Sequence, residues 1–273
     1  MSSTTRSPRR TADLRIEWPR IVLPMVTLAL GVVVWDLVVR LKDIPPFILP
    51  GPGLVAATVV SDWPLLWGSL LVTLTTAVYA LALALVGGVG LAIVFNQSRW
   101  MEHSFYPFAV ILQVTPVVAV APLLLIYLPQ QAAVLTCAWI VAFFPILANT
   151  TLGLASVDRN LVDLFELYGA SGIKLLLRLK LPAALPYMLG GLRIAGGLSL
   201  VGAVVAEIAA GSAGAGSGLA YRIAESAYRL NIARMFAALI LLSITGIAIF
   251  LTLSFVSYLS LRRWHESAVA SEP

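Results

Sequence analysis

Residues 161–186 read LVDLFELYGASGIKLLLRLKLPAALP, a charged, helix-forming island between hydrophobic runs that are each long enough to cross a bilayer. Asn160 or Asp158 can cap a first short helix, and Gly169 supplies a stop. A second helix starts near Ser171. Its Lys174 and Arg178 lie four residues apart and share one face, while Leu175, Leu176, Leu177 and Leu179 make the apolar remainder. Pro182 lacks an amide donor and is expected to end this helix. The product is two short helices meeting at a glycine corner on the membrane surface or just below it.

Composition agrees with a membrane setting. The chain of 273 residues is 60% hydrophobic and 11% charged, with a mean hydropathy of +0.94, whereas soluble domains carry about a quarter charged residues. The single cysteine, Cys137, cannot form an intrachain disulfide, and no Cys/His cluster has zinc spacing. The net charge of +5 does not point to nucleic acid, because the basic residues sit beside apolar runs instead of forming one stripe.

Working outward gives an all-α polytopic membrane protein with six spans, near 21–41, 69–95, 105–128, 132–154, 187–210 and 235–261. A tail precedes them at 1–20 and another follows at 266–273, and the island occupies 158–186. The run from Ile21 is too long for a signal peptide and lacks a cleavage site, so it reads as a retained span. Asp36 pairs with Arg40 or Lys42 at the interface. IPPFILPGPG carries four prolines and reads as an extended linker before a short helix at Leu54–Ser61; Trp63 and Trp67 suit the boundary. Ala80, Ala84, Gly88 and Ala92 in one span, and Gly191, Ala195, Ser199 and Ala203 in another, repeat every four residues and form stripes for close helix contact. Asn96 to Ser104 reads as a loop, Pro129 with Gln130 and Gln131 as a tight turn, and a short amphipathic helix is expected at Leu219–Arg229.

With both termini inside, 13 of the 18 Lys and Arg lie on the cytoplasmic side: Arg6, Arg9, Arg10, Arg15, Arg20, Arg99, Arg159, Lys174, Arg178, Lys180, Arg193, Arg262 and Arg263. Arg40, Lys42, Arg222, Arg229 and Arg234 lie outside. That excess places the island in the cytoplasm.

The order Asp163, Gly169, Leu179, Leu181, Pro182 resembles the "EAA loop" of permease subunits from binding-protein-dependent ABC importers, with Asp163 in place of a glutamate and Leu164 and Phe165 in place of two alanines. LPAALPYMLGGLRIAGGLSLVGAVVAEI is similar to the taurine, nitrate and sulfonate branch (NitT/TauT-like) of that family. So are LPGPGLV at Leu49–Val55 and FFPILANTTLGL at Phe143–Leu154, and the resemblance spans Ile48 to His265. It implies the type I importer (MetI-like) fold with cytoplasmic coupling helices, in the bacterial inner membrane. It also implies two copies of the permease as a homodimer, two ATPase subunits that bind the ATP, and a soluble solute-binding protein outside. In this resemblance Asp163, Glu166, Gly169, Leu179, Leu181 and Pro182 couple to the ATPase. The branch carries sulfonates, taurine and nitrate, and close relatives carry pyrimidine vitamin precursors or riboflavin.

Prolines at 107, 116 and 122 with Gln113 and Thr115 between them mark the third span as a candidate pore wall, since freed carbonyls need a neighbour or a wet cavity. Gln113, Thr115, Pro116, Asn149, Ser199 and Glu207 are the candidate path residues. Gln113, Thr115, Asn149 and Ser199 serve either there or as hydrogen bonds between spans. Glu207 is either a functional carboxylate within a span or an interfacial partner of Arg222 or Arg229. The Gly211–Gly218 loop is either a flexible linker or a surface for the binding protein.

No Walker A sequence, serine nucleophile elbow or HExxH occurs, so no catalytic, cofactor-binding or metal residue is expected and energy must arrive from a partner. The near-neutral path favours an uncharged heterocycle over an anion. A secondary transporter acting alone would need an internal repeat and mid-bilayer acids, and a lipid-modifying enzyme would need clustered His, Asp, Glu or Cys; neither pattern is present.

Overall fold

The structure, a computed structural model, describes residues 18–211 and 216–262. The expected tails lie outside this range apart from residues 18–20, as do Arg263, Trp264, His265 and the middle of the glycine-rich loop.

Every regular element among the described residues is helical. Helix α1 (Trp18–Leu41) is followed by the proline-rich linker and by α2 (Pro52–Ser61), which begins on a proline where the missing amide costs nothing. Asp62 alone separates α2 from α3 (Trp63–Gln97), a 35-residue rod that starts well before the expected Ser69. At 1.5 Å per residue α3 is about 50 Å long, so it projects past a hydrocarbon core of about 30 Å. Trp63 and Trp67 stack at one end, with centroids 5.4 Å apart.

Two expected boundaries are corrected here. Residues 96–104 are not a loop: Ser98 alone interrupts the helices, its hydroxyl capping α4 (Arg99–Val114) through the Met101 amide. The third span, 105–128, is not one rod, because α4 and α5 (Val117–Tyr127) meet at a bend of 100°. The break falls at Thr115–Pro116. Proline drives the preceding residue out of the helical region, and Thr115 is extended with ψ 122°. Pro107 and Pro122 remain inside their helices.

Pro129 then stands at the N-terminal boundary of α6 (Gln130–Ala155), so both glutamines expected in a turn are already helical. The island follows as α7 (Arg159–Leu167), α8 (Gly172–Leu175) and a π-helical turn over Leu176–Lys180, leading without a break into α9 (Leu181–Ala210). The expectation that Pro182 ends the second island helix is therefore wrong. The Leu181 amide bonds back to the Leu176 carbonyl, and this wider turn sits just where the proline ring would collide with a regular one. α10 (Leu219–Tyr228) and α11 (Ile232–Leu261) complete the chain.

Five described helical runs are long and apolar enough to cross a membrane, and the bent α4–α5 pair makes a sixth crossing if counted as one. The centre of the bundle is α3, α6 and α9. Lipid is as apolar as leucine, so these rods associate through close van der Waals fit instead of escape from water. Ala80, Ala84, Ala92, Ala195 and Ala203 are wholly buried. Gly88 admits Ile146 so closely that a β-carbon there would lie 2.9 Å from Ile146 Cγ2, and one on Gly191 would lie 2.8 Å from the Pro145 carbonyl oxygen. α11 closes on α9 beside Gly196. α1 stands apart, with none of its apolar window buried.

A helical corner, an elbow cavity and a polar knot

At one end of the bundle α7 stands off as a corner. Of the two expected caps it is Asp158 that serves, its carboxylate accepting the Asn160 amide at 2.9 Å. Gly169 stops the helix with φ +69°: its amide bonds to the Glu166 carbonyl and the Ala170 amide to the Phe165 carbonyl. No atom lies within 4 Å of where a β-carbon on Gly169 would stand, so the glycine is required by the backbone and not by space. No residue of α7 is buried. Asp163 and Glu166 are exposed, and so are Leu164, Leu167 and Tyr168, the last two at 85%. Leu179, Leu181 and Pro182 are half-buried at the junction with the bundle. Leu179 lines a groove of about 590 Å³ with Asn149, Asp158 and Tyr187. The corner is tied down by Lys180, whose ammonium donates to Asn96 Oδ1 on α3 at 3.0 Å.

The bend of the third span encloses a second feature. Gln113, Thr115 and Pro116 line a cavity of about 370 Å³ with Val117, Pro145 and Leu198. By the ordinary i to i−4 count, the carbonyls of Leu112, Gln113 and Val114 and the amides of Val117 and Val118 lose helical partners at such a break. Open backbone at membrane depth is tolerated where it faces protein or a wet cavity, and the elbow supplies one.

The six candidate path residues are thus not gathered at one place. Asn149 faces the groove near the corner and donates to the Pro145 carbonyl within its own helix at 2.8 Å. Ser199 is buried and donates to the Gly196 carbonyl, and Thr115 to the Ile111 carbonyl. These bonds run within helices, not between spans as the sequence suggested, because a hydroxyl on a helix finds its own preceding turn first.

Glu207 lies at the end of the bundle opposite the corner and is 6% exposed. Its Oε2 accepts from Thr73 Oγ1 on α3 at 3.0 Å and from the Ala220 amide at 3.2 Å. Thr73 Oγ1 in turn accepts the Leu219 amide at 2.9 Å. Two spans thus cap the first turn of α10. The expected partnership of Glu207 with Arg222 or Arg229 is not formed. Both arginines pair with Glu225, at 2.8 and 3.0 Å, and the Arg222 hydrogen bond chiefly holds the Glu225 carboxyl below its ordinary value of 4.5. Thr73, Gly218, Asn96 and Lys180 were not singled out in the sequence as partners, since their contacts join segments far apart in the chain. A larger hollow of about 1180 Å³ between α1 and Ile240 of α11 is lined almost wholly by apolar side chains and opens to the outer surface of the bundle.

Residues 84–267 match the family described as the inner membrane component of binding-protein-dependent transport systems. The chain belongs to this family. This permease is 37% identical over 218 residues to the riboflavin transport system permease protein RibX of Chloroflexus aurantiacus, which covers 78% of this chain and 81% of that one. It is 32% identical over 226 residues to the formylaminopyrimidine transport permease protein ThiX of Halalkalibacterium halodurans (82% and 88%). To the putative aliphatic sulfonates transport permease protein SsuC of Bacillus subtilis it is 29% identical over 262 residues (93% and 90%). The permease also shares its fold with a solved chain titled as the crystal structure of an amino acid ABC transporter with histidines. That likeness has a TM-score of 0.60 at 19% identity, over 76% of this chain and 97% of that one. It is a permease subunit of a binding-protein-dependent ABC importer with several membrane-crossing helices, and its role is transport.

Proposed function

We propose that two copies of this chain form the membrane path of an ATP-driven importer, with the α7–α8 corner in the cytoplasm docked on two separate ATPase subunits and a soluble binding protein delivering cargo outside. ATP is bound by those partners, and the chain itself catalyses no reaction. The observation that carries this reading is the corner. An amphipathic helix with no buried residue presents Leu164, Leu167 and Tyr168 to water, which a subunit groove would cover, while its root is fastened to α3 through Lys180 and Asn96. Asp163 and Glu166 then meet basic groups on the ATPase, and Leu179, Leu181 and Pro182 hold the corner to the body. ATP-driven closure of the motor pair moves the corner, and the spans tip between states open to either side.

The cargo is a neutral pyrimidine- or flavin-type heterocycle. None of the described residues lining the elbow cavity is charged. Gln113, Thr115 and the interrupted backbone offer both donors and acceptors, which suit a ring bearing amide-like edges better than an anion. The names of the riboflavin and formylaminopyrimidine permeases support the same class.

The test is co-expression with the neighbouring ATPase subunit and reconstitution. Gly169→Leu should insert normally yet lose ATPase capture and uptake, since a β-branch-free but bulky side chain still cannot hold φ +69° without strain. Unchanged uptake in that variant, or uptake by the chain alone without nucleotide, would end this reading. A ligand screen on the partner binding protein should return heterocycles, and a preference for sulfonates or nitrate would overturn the cargo assignment.

A further inference from the structure

We propose that Glu207 is the latch of the mouth opposite the coupling corner, and that the mouth opens when α10 lets go of Glu207 and Thr73. This rests on the permease reading, in which that face must open at one stage to admit cargo. α10 crosses the ends of α3 and α9 and is fastened there at its first turn, through the Leu219 amide on Thr73 Oγ1 and the Ala220 amide on Glu207 Oε2. Arg222 adds a bond from its Nε to Ser69 Oγ on α3 at 3.1 Å. Helix caps of this kind come from the helix's own flanking residue in most proteins, but the residue before α10 is Gly218, which has no side chain to offer. Gly218 instead makes room: a β-carbon there would stand 2.1 Å from Glu207 Cδ. The carboxyl group therefore occupies the space that any other residue at 218 would fill.

A second observation shows that this carboxylate is poised and not fully satisfied. Glu207 Oε1 is buried and has no hydrogen-bond partner among the described residues. It borders a cavity of about 30 Å³ whose lining includes Thr76, Gln131 and Tyr221, room for one water molecule. A buried carboxylate with a vacant oxygen beside a polar void can exchange partners as α10 lifts, where a fully bonded one would hold it shut. The knot joins three elements through hydrogen bonds between groups that all find water once exposed, so it closes reversibly. At its far end α10 turns directly into α11 through Leu230, with the Asn231 amide bonded to the Ser226 carbonyl at 2.9 Å, so that end stays with α11 when the first turn is released.

The test uses the permease assembled with its ATPase subunit in proteoliposomes. Cys137→Ala removes the sole cysteine, and Ala220→Cys, at a position 0% exposed in the first turn of α10, reports opening through a membrane-impermeant maleimide. The resting transporter should label slowly. Glu207→Ala, Thr73→Val and Gly218→Ala, each on a different segment of the knot, should label about tenfold faster, the size expected when one or two buried hydrogen bonds are lost. Glu207→Gln, whose amide oxygen can still accept both bonds, should stay protected. ATP with vanadate should accelerate labelling in the parent protein and add little in Glu207→Ala. If Gly218→Ala fails to insert, the near-isosteric Thr73→Val decides. Labelling of Thr73→Val and Glu207→Ala at the parent rate, opening of Glu207→Gln, or no effect of nucleotide on the parent would each overturn the latch. Uptake without any nucleotide hydrolysis would instead overturn the permease reading, and it is scored in the same vesicles.

Discussion

Lys180 donates its ammonium to Asn96 Oδ1 across 3.0 Å, joining the π-helical turn of the island to the last turn of α3. A partly buried bond to a charged donor contributes about 1.5–3 kcal/mol, more than a surface ion pair. Asn96→Leu should therefore cut uptake by about tenfold while leaving membrane insertion and ATPase capture intact. Asn96→Asp should keep or improve uptake. Transport and ATPase rates measured on the same vesicles check this, and equal loss in both variants would contradict it.

Neighbouring glycines on α9 should behave oppositely. A β-carbon on Gly191 meets the Pro145 backbone oxygen at 2.8 Å and Asn149 Cβ at 2.9 Å, and a backbone cannot step aside. Gly191→Ala should destabilise the bundle by about 1–3 kcal/mol. At Gly190 nothing lies within 4 Å, so Gly190→Ala should be neutral or gain up to about 1 kcal/mol from lower chain entropy. Thermal unfolding in detergent separates the two.

Leu230 sits where a glycine is usual. It ends α10 at φ +55°, with the Asn231 amide bonded to the Ser226 carbonyl at 2.9 Å, and its side chain is 68% exposed. Left-handed backbone costs a leucine about 1–2 kcal/mol, of which glycine's extra freedom returns part. Leu230→Gly should raise stability by about 0.5–1 kcal/mol. A lower melting temperature would show that the exposed side chain makes a contact in the assembled transporter.

Acid should loosen the same hairpin. The Arg222 hydrogen bond, with Arg229 and Arg234 adding attraction, lowers the folded Glu225 carboxyl below 4.5. A lowered folded value means the contribution is fully present above the unfolded value and is lost as pH falls through the folded one. Protection of the α10 amides in hydrogen exchange should hold from neutral pH down to the ordinary carboxylate range and fall below it. Glu225→Gln should lack that acid-side step.

The crossings and the island were legible because hydropathy and four-residue small stripes are local patterns: Ala80 to Ala92 and Gly191 to Ala203 each state their own buried face. Asp158 and Gly169 were legible for the same reason, as cap and stop chemistry acts over a few residues. The third span was not, since three prolines look alike in sequence, yet the chain bends at Pro116 while Pro107 and Pro122 stay inside their helices. Pro182 misled because a π-helical turn absorbs the missing amide, and nothing in LLLRLKLP announces it. Glu207 drew attention as an ionisable residue in a span, but its partners are the Thr73 hydroxyl 134 residues away and the Ala220 backbone amide, a group that every residue except proline carries and no side-chain pattern marks, while the sequence offered Arg222 or Arg229 as its ionic partner.

α1 touches the bundle through its last turns, where Trp35 lies 5.6 Å from the Phe236 ring, while Leu23 to Val34 are exposed among the described residues. Within one copy of the chain, that stretch contributes oiliness and reach. Swapping that stretch for an unrelated greasy helix of equal length should leave the remaining rods standing, which makes it the natural place to fuse a tag, a tether or a reporter.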